Sequence, residues 1–444
     1  MRDNSIQAAP VAPSERIVSL DVLRGFAVLG ILIMNIQSFS MIEAAYLNPT
    51  AYGDLTGLNR LVWTLSHVFA DEKFMSIFSM LFGAGILMIA RRAEEKGIDA
   101  SRLHYGRSLW LIVFGLLHAY LLWYGDILFT YGICALIVFR FRNARPKRLL
   151  TAGLLVVSVS SLLYLFFGAS MRYWPPEAVE GPMEIWMPDK AVIEAEIAAY
   201  RGGWFDQMGQ RIPAAIALQT FVLLVFQGWR AAGLMLVGMV FFTRGILTGQ
   251  RSRRFYLTMA GVGFAVGLPL IIHGVGLNFA AGWTLKYSMF FGPQLNYWGS
   301  LFVAVGYISI VMLICKAVSA GILTRAFAAT GRMAFTNYIV QTLICTAIFY
   351  GHGFGLYGKT ERKEQILVVF CVWAFQLIVS PIWLKHFRFG PLEWLWRSLT
   401  YRRRQPMRMR RVMPELKPAF QQDMLSMGTR PAEDASHWGG EEVL

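Results

Sequence analysis

The stretch GLLHAYLLWYGDILFTYG, residues 115–132, decides how this chain is read. It is almost wholly apolar, yet it holds His118 and Asp126. Whether those two groups are odd depends on whether the surrounding segment is a membrane span. The whole chain answers that. Of its 444 residues, 56% are hydrophobic and only 16% charged, where soluble domains carry about 25% charged residues. The apolar residues fall in long runs, which points to an all-α polytopic membrane protein.

Ten spans are expected: 17–38, 74–90, 109–124, 127–139, 149–168, 226–243, 256–274, 297–315, 335–350 and 366–384. Charge orients them. With the N-terminus inside, the inner segments hold 28 Lys and Arg and the outer segments hold 10. Positive charge collects on the cytoplasmic side, so both termini are expected there. The first apolar stretch contains Asp21 and Arg24 and lacks a small-residue cleavage site, so it reads as a span and not a signal peptide. The net charge of +15 belongs to this topology; nucleic acid is not an expected partner.

The organisation that follows is a cytoplasmic N-terminus (1–16), an N-terminal membrane half (17–168), an outer loop (169–212), a C-terminal membrane half (213–401) and a polar tail (402–444) expected to be disordered. Residues 213–243 are apolar for too long for one upright helix. One span is expected there, with 213–225 on the outer surface or partly re-entrant. In the acidic outer loop, 189–200 can form a short amphipathic helix broken by Gly202 and Gly203. It either covers a site or serves as a solvated connector. The stretch FGPLEWLWRSLTYRRR from Phe389 alternates aromatic and basic residues. It suits a helix on the inner surface, with Trp394 and Trp396 at headgroup depth and anionic lipid as its partner.

Charge inside a membrane is costly, so each case needs an account. Asp21 and Arg24, spaced i,i+3, share a helix face and can neutralise each other. Alternatively, Arg24 meets an anionic ligand such as a phosphate. Asp126 follows Gly125 and can cap the helix that opens at Ile127. His118 lies too deep to cap anything. Eight residues along one helix is roughly 12 Å, so the two groups need not touch, and other helices are expected to supply their partners. His118 is either a core histidine or a proton-transfer residue. Asn337 and Gln341, spaced i,i+4, can bond across helices. Arg230 and Gln376 add buried polarity, while His67, Asp71, Glu72 and Lys73 are placed to rim an outer opening. Cys134, Cys315, Cys345 and Cys371 have neither disulfide nor zinc spacing and are expected as free, buried thiols. No P-loop, zinc helix, GxSxG elbow or Cys-x-x-Cys pair is present. No metal is expected.

Five ordered stretches carry a resemblance: RIVSLDVLRGFAVLGILIMNIQSF, KFMSIFSMLFGAGI, GLLHAYLLWYGDILFTYG, GRMAFTNYIVQT and FRFGPLEWLWRSLTY. Together they resemble the YeiB-like bacterial membrane family, from about Arg16 to Tyr401, whose C-terminal half is a domain of unknown function. The N-terminal half of that family is similar to the transmembrane acyltransferase superfamily, which includes the lysosomal heparan-glucosaminide acetyltransferase. Those proteins pass an acyl group from cytoplasmic acyl-CoA to an acceptor on the far side.

The resemblance implies a multi-pass protein of the bacterial inner membrane, with Asp21 and Arg24 on the acyl-CoA side. His118 is the implied base or acyl carrier, with His67 as its rival. Asp126 would orient the acceptor or a histidine. His67, Asp71, Arg230, Asn337 and Gln341 are the candidates for substrate contact. Acyl-CoA is the expected co-substrate, and a homodimer is compatible. Two other classes stay open: a proton-coupled transporter using His118, Asp126 and Arg230, and a non-catalytic scaffold.

Overall fold

The computed structural model describes residues 16–318 and 321–409. Among them the chain is helical throughout and forms no strand. Seven helical stretches are long and apolar enough to cross a membrane, among them Val18–Ser40, Pro146–Tyr173, Arg253–Ala280 and Arg362–His386. Each of the ten expected segments is helical over most of its length; Ala100–Leu121, Leu128–Val138 and Ala334–Phe349 carry the three that are shorter or more charged. Large apolar side chains on the outer faces, such as Leu155, Phe166 and Leu257, are more than half exposed. Such faces suit contact with lipid chains.

Local sequence sets the helix starts. Asp99 accepts from the backbone N–H of Ser101 (2.8 Å) and Arg102 (3.2 Å), opening the helix that carries His118. Glu361 and Glu364 form a capping box before Arg362–His386. Pro146 stands in the first turn of its helix, where no N–H is missed. Close crossings depend on small residues. A Cβ at Gly83 would collide with the carbonyl of Met235, and one at Gly238 with that of Met80. Gly25 and Gly331 lock Val18–Ser40 to Ile322–Arg332 in the same reciprocal way. These contacts join the two expected halves into a single body up to Met407.

Three expectations change. Residues 213–225 are neither re-entrant nor a separate surface helix: the chain is helical without a break over 208–243, with a π-helical stretch at Leu218–Gln227. The outer loop is no solvated connector. Its helix Lys190–Arg201, capped by Asp189, docks onto the rest of the protein: Glu196 accepts from the Glu43 N–H (2.9 Å) and the Tyr357 hydroxyl (2.6 Å). The four cysteines are free, but Cys371 is exposed on its helix face and not buried. The tail beyond residue 409 lies outside the described residues.

Four of the segments expected to be inner meet at one end of the bundle, where Arg16, Arg92, Arg332 and Arg388 line a common opening. This is the basic end. The helix Pro391–Thr400 closes part of it. Trp396 donates to the Arg107 carbonyl (3.0 Å) and its ring stacks under the Arg107 guanidinium. Trp394 donates to the Gln405 carbonyl (2.7 Å). Both indoles are held by protein.

Candidate functional site

A cavity of about 290 Å³ opens among the helices at the basic end. Its mouth is ringed by Arg16, Arg24, Arg107, Arg332, Arg388 and Arg397, with Arg92 and Lys96 beside them. Only two carboxylates among the described residues line the cavity with this group. Asp21 binds Arg24 at 3.0 Å. Glu393 is spent on the start of Ala334–Phe349, accepting from the N–H groups of Phe335 (2.7 Å) and Thr336 (3.0 Å). Arg16, Arg107, Arg332, Arg388 and Arg397 have no carboxylate within ion-pair distance among the described residues. Burial lowers the affinity of the Arg16 and Arg332 guanidiniums for their protons. Burial and then Arg107 push Arg397 down to about 10. Cations that so outnumber their carboxylates repel one another, and an anion relieves that repulsion.

Inward from the mouth the walls turn apolar: Val28, Ile31, Phe78, Leu81, Phe82, Ile86 and Leu111. The polar exceptions are His104, Ser108, Tyr131 and Tyr338. Phe139 stacks on the His104 ring at 4.1 Å, and His104 Nε2 lies 3.0 Å from the Ala135 carbonyl. Tyr131 and Ser79 share a 2.9 Å hydroxyl contact. Tyr338 lines the cavity, and its ring centroid lies 5.1 Å from that of the His118 imidazole, which does not line it.

His118 and Asp126, expected to find separate partners, bind each other: Nδ1 to Oδ1 is 2.9 Å. A separation of roughly 12 Å holds only for one straight rod. The helix instead ends at Leu121 and the chain doubles back, with the Asp126 N–H on the Tyr124 carbonyl (2.8 Å), which returns the carboxylate to the imidazole. Asp126 keeps its capping role through the other oxygen, which accepts from the Phe129 N–H at 2.7 Å. On the far side of the ring, His118 Nε2 lies 2.9 Å from the Thr342 hydroxyl. All three side chains are buried.

The other candidates lie elsewhere. Of the residues expected at a site, Asp21 and Arg24 line the cavity; His118, Asp126, His67, Asp71, Arg230, Asn337 and Gln341 do not. His67 and Asp71 face each other. Their side chains pair at 3.1 Å, and Asp71 also accepts from Asn296 (2.9 Å). Lys73 is fully buried on Asn296 (2.6 Å) and the His67 carbonyl (2.7 Å). Arg230, also fully buried, reaches Glu72 (3.2 Å), Ser76 (3.0 Å), Ser300 (2.7 Å) and the Tyr297 carbonyl (3.0 Å). Glu72 holds a left-handed backbone (φ 63) at this turn, a strained conformation for a residue with a Cβ. Asn337 and Gln341 tie helices together: Gln341 donates to Gln376 (3.0 Å) and the Val28 carbonyl (3.1 Å), and Gln376 donates to the Asn337 carbonyl (2.8 Å).

Thr342, Tyr338, His104 and Arg107 join the site from the structure alone. A threonine, a tyrosine or a lone histidine on an apolar helix carries no spacing signal. The available clue is that Thr342 follows Gln341 and stands i,i+4 from Tyr338, on the same helix face.

Residues 241–403 match the family model described as "Protein of unknown function (DUF418)". Two bacterial relatives cover nearly their full lengths. The "Uncharacterized protein YeiB" of Escherichia coli is 34% identical, across 88% of this chain and 98% of its own. The "Uncharacterized protein YxaH" of Bacillus subtilis is 31% identical, across 89% and 97%. An all-helical, multi-span fold, a five-motif resemblance and full-length similarity to YeiB agree: the chain belongs to the YeiB-like, DUF418-containing family.

Proposed function

We propose that this protein is a membrane acyltransferase that takes an acyl group from acyl-CoA at the basic end and passes it to an acceptor of the cell envelope. The basic end faces the cytoplasm in this reading, since Lys and Arg concentrate there, and the bilayer is the bacterial inner membrane. One observation carries the proposal. A cavity with uncompensated guanidiniums at its mouth runs through apolar walls to Tyr338, whose ring packs on a buried histidine already paired with a carboxylate. Guanidiniums bind phosphates bidentately. The histidine–carboxylate pair supplies an oriented base or acid at the other end.

The test uses purified protein in neutral-lipid nanodiscs. Wild type is expected to bind acyl-CoA and consume its thioester; Arg107→Gln weakens binding and His118→Asn stops consumption. Absence of binding by wild type overturns the reading.

A transporter is the second reading, favoured by the Arg230–Glu72 pair and its neighbours His67 and Asp71, which place charge deep in the bundle. It predicts substrate flux in liposomes without acyl-CoA.

A further inference from the structure

In an apolar helix a threonine hydroxyl usually returns its proton to the carbonyl four residues back. Thr243 does so at 2.8 Å and Thr220 at 2.7 Å. For Thr342 that contact, to the Tyr338 carbonyl, is stretched to 3.5 Å, while the distance to His118 Nε2 is 2.9 Å. The hydroxyl is turned toward the histidine.

The proton positions follow from Asp126. A carboxylate only accepts, so His118 Nδ1–H donates to it across 2.9 Å; in the neutral imidazole Nε2 then presents its lone pair to the Thr342 hydroxyl. The Phe129 N–H on the second oxygen holds the carboxylate in place. Hydroxyl, imidazole and carboxylate thus stand in the order that activates a nucleophile in hydrolases of unrelated fold. A separate observation falls at the same place. The Trp123 indole N–H is buried with no partner among the described residues, and its ring centroid is 6.1 Å from that of His118. In the proposed reading this unspent buried donor is the group to test for oxyanion stabilisation.

We infer that Thr342 is the nucleophile of the proposed acyl transfer and carries the acyl group as an oxygen ester between donor and acceptor. The inference rests on the acyltransferase reading. In the first half, Thr342 Oγ1 attacks the thioester carbonyl carbon and its proton passes to His118 Nε2. The C–S bond breaks, and the leaving thiolate takes that proton as free CoA. In the second half, the acceptor hydroxyl or amine gives a proton to Nε2 and attacks the ester carbon. The C–O bond to Thr342 breaks and Oγ1 recovers the proton. No oxidant or reductant is consumed. In this proposal Tyr338, one turn before Thr342, gives up its 3.3 Å bond to the Gly125 carbonyl and its packing on the His118 ring to admit the thioester.

The experiment incubates full-length protein in nanodiscs of neutral phospholipid with acetyl-CoA or octanoyl-CoA, without acceptor, followed by an acid quench, intact mass and peptide mapping. Binding of each thioester is measured on the same samples. Wild type is expected to gain one acyl group at Thr342. Thr342→Val, which keeps the shape and loses the hydroxyl, drops labelling on the order of 100-fold or more, and Thr342→Ser retains it. Unchanged melting temperatures exclude misfolding. Binding and thioester consumption with no adduct, an adduct elsewhere, or full labelling of Thr342→Val overturns the nucleophile and leaves acyl transfer standing. Absence of thioester binding overturns acyl transfer itself.

Discussion

Two clusters of buried charge lie in this bundle, and they differ in what surrounds them. Around Arg230, the guanidinium, Glu72, Ser76, Ser300 and the Tyr297 carbonyl close on one another, and the cavity does not reach them. Around His118, the partners are as short, but the cavity ends one aromatic ring away. Depth in the membrane and polarity are the same warning in both places. Nearness to the cavity separates them: in the proposed reading the first cluster is a brace and the second a site reached past Tyr338.

The comparison breaks most visibly in activity. His118→Asn, which keeps a donor for Asp126, is expected to lower acyl transfer by roughly 10³-fold or more while the melting temperature holds. Single-turnover kinetics alongside thermal unfolding show whether activity and stability separate. The converse holds for Arg230. Arg230→Leu strands Glu72 in a buried site, and a broken buried pair costs about 3–5 kcal/mol. Unfolding in detergent should reveal that loss. A variant that stays as stable as wild type and loses only activity would move Arg230 into the site.

A smaller effect is expected at the mouth. Arg107→Gln or Arg397→Gln removes one cation from a crowded group, so affinity for acyl-CoA falls by roughly tenfold, with stability unchanged or raised. Isothermal binding and melting curves read both. The smallest effect concerns the opposite end. Burial, and then Glu196, push Glu43 up to about 7. A carboxyl with a raised value favours its protonated form in the folded protein. Its contribution to docking of Lys190–Arg201 is therefore full at low pH and fades as pH rises through about 7. Protection of that helix from hydrogen exchange, relative to the intrinsic rate at each pH, should fall between about pH 6 and about pH 8, and Glu43→Gln should flatten the trend.

The helical layout was legible because length and hydropathy largely decide it: all ten expected segments lie largely in helices, and seven helical stretches among the described residues are long and apolar enough to cross a membrane. The cap at Asp126 was legible too, from Gly125 before it and the apolar run after it. The turn between the two helices was expected from the spans 109–124 and 127–139, but not that it brings Asp126 onto His118. A rise of 1.5 Å per residue separates His118 from Asp126 by roughly 12 Å only if the helix continues, and it stops at Leu121. The two rival accounts of Asp126, cap and functional partner, also proved to be one carboxylate using both oxygens. The cavity was illegible for a different reason. Arg107, Arg332 and the pair Arg388 and Arg397 come from three stretches far apart in sequence, and only packing shows that their charges meet without acids between them. Thr342 needed the same tertiary knowledge, since its partner lies 224 residues away.

The central claim is that acyl-CoA, held by the guanidiniums at the basic end, reacts under control of His118. Its most direct test is a single-turnover measurement of thioester loss from bound acyl-CoA, on wild type and His118→Asn side by side. The account predicts equal binding by both and thioester loss in wild type alone. Equal thioester loss in both proteins, or no binding by wild type, would contradict it.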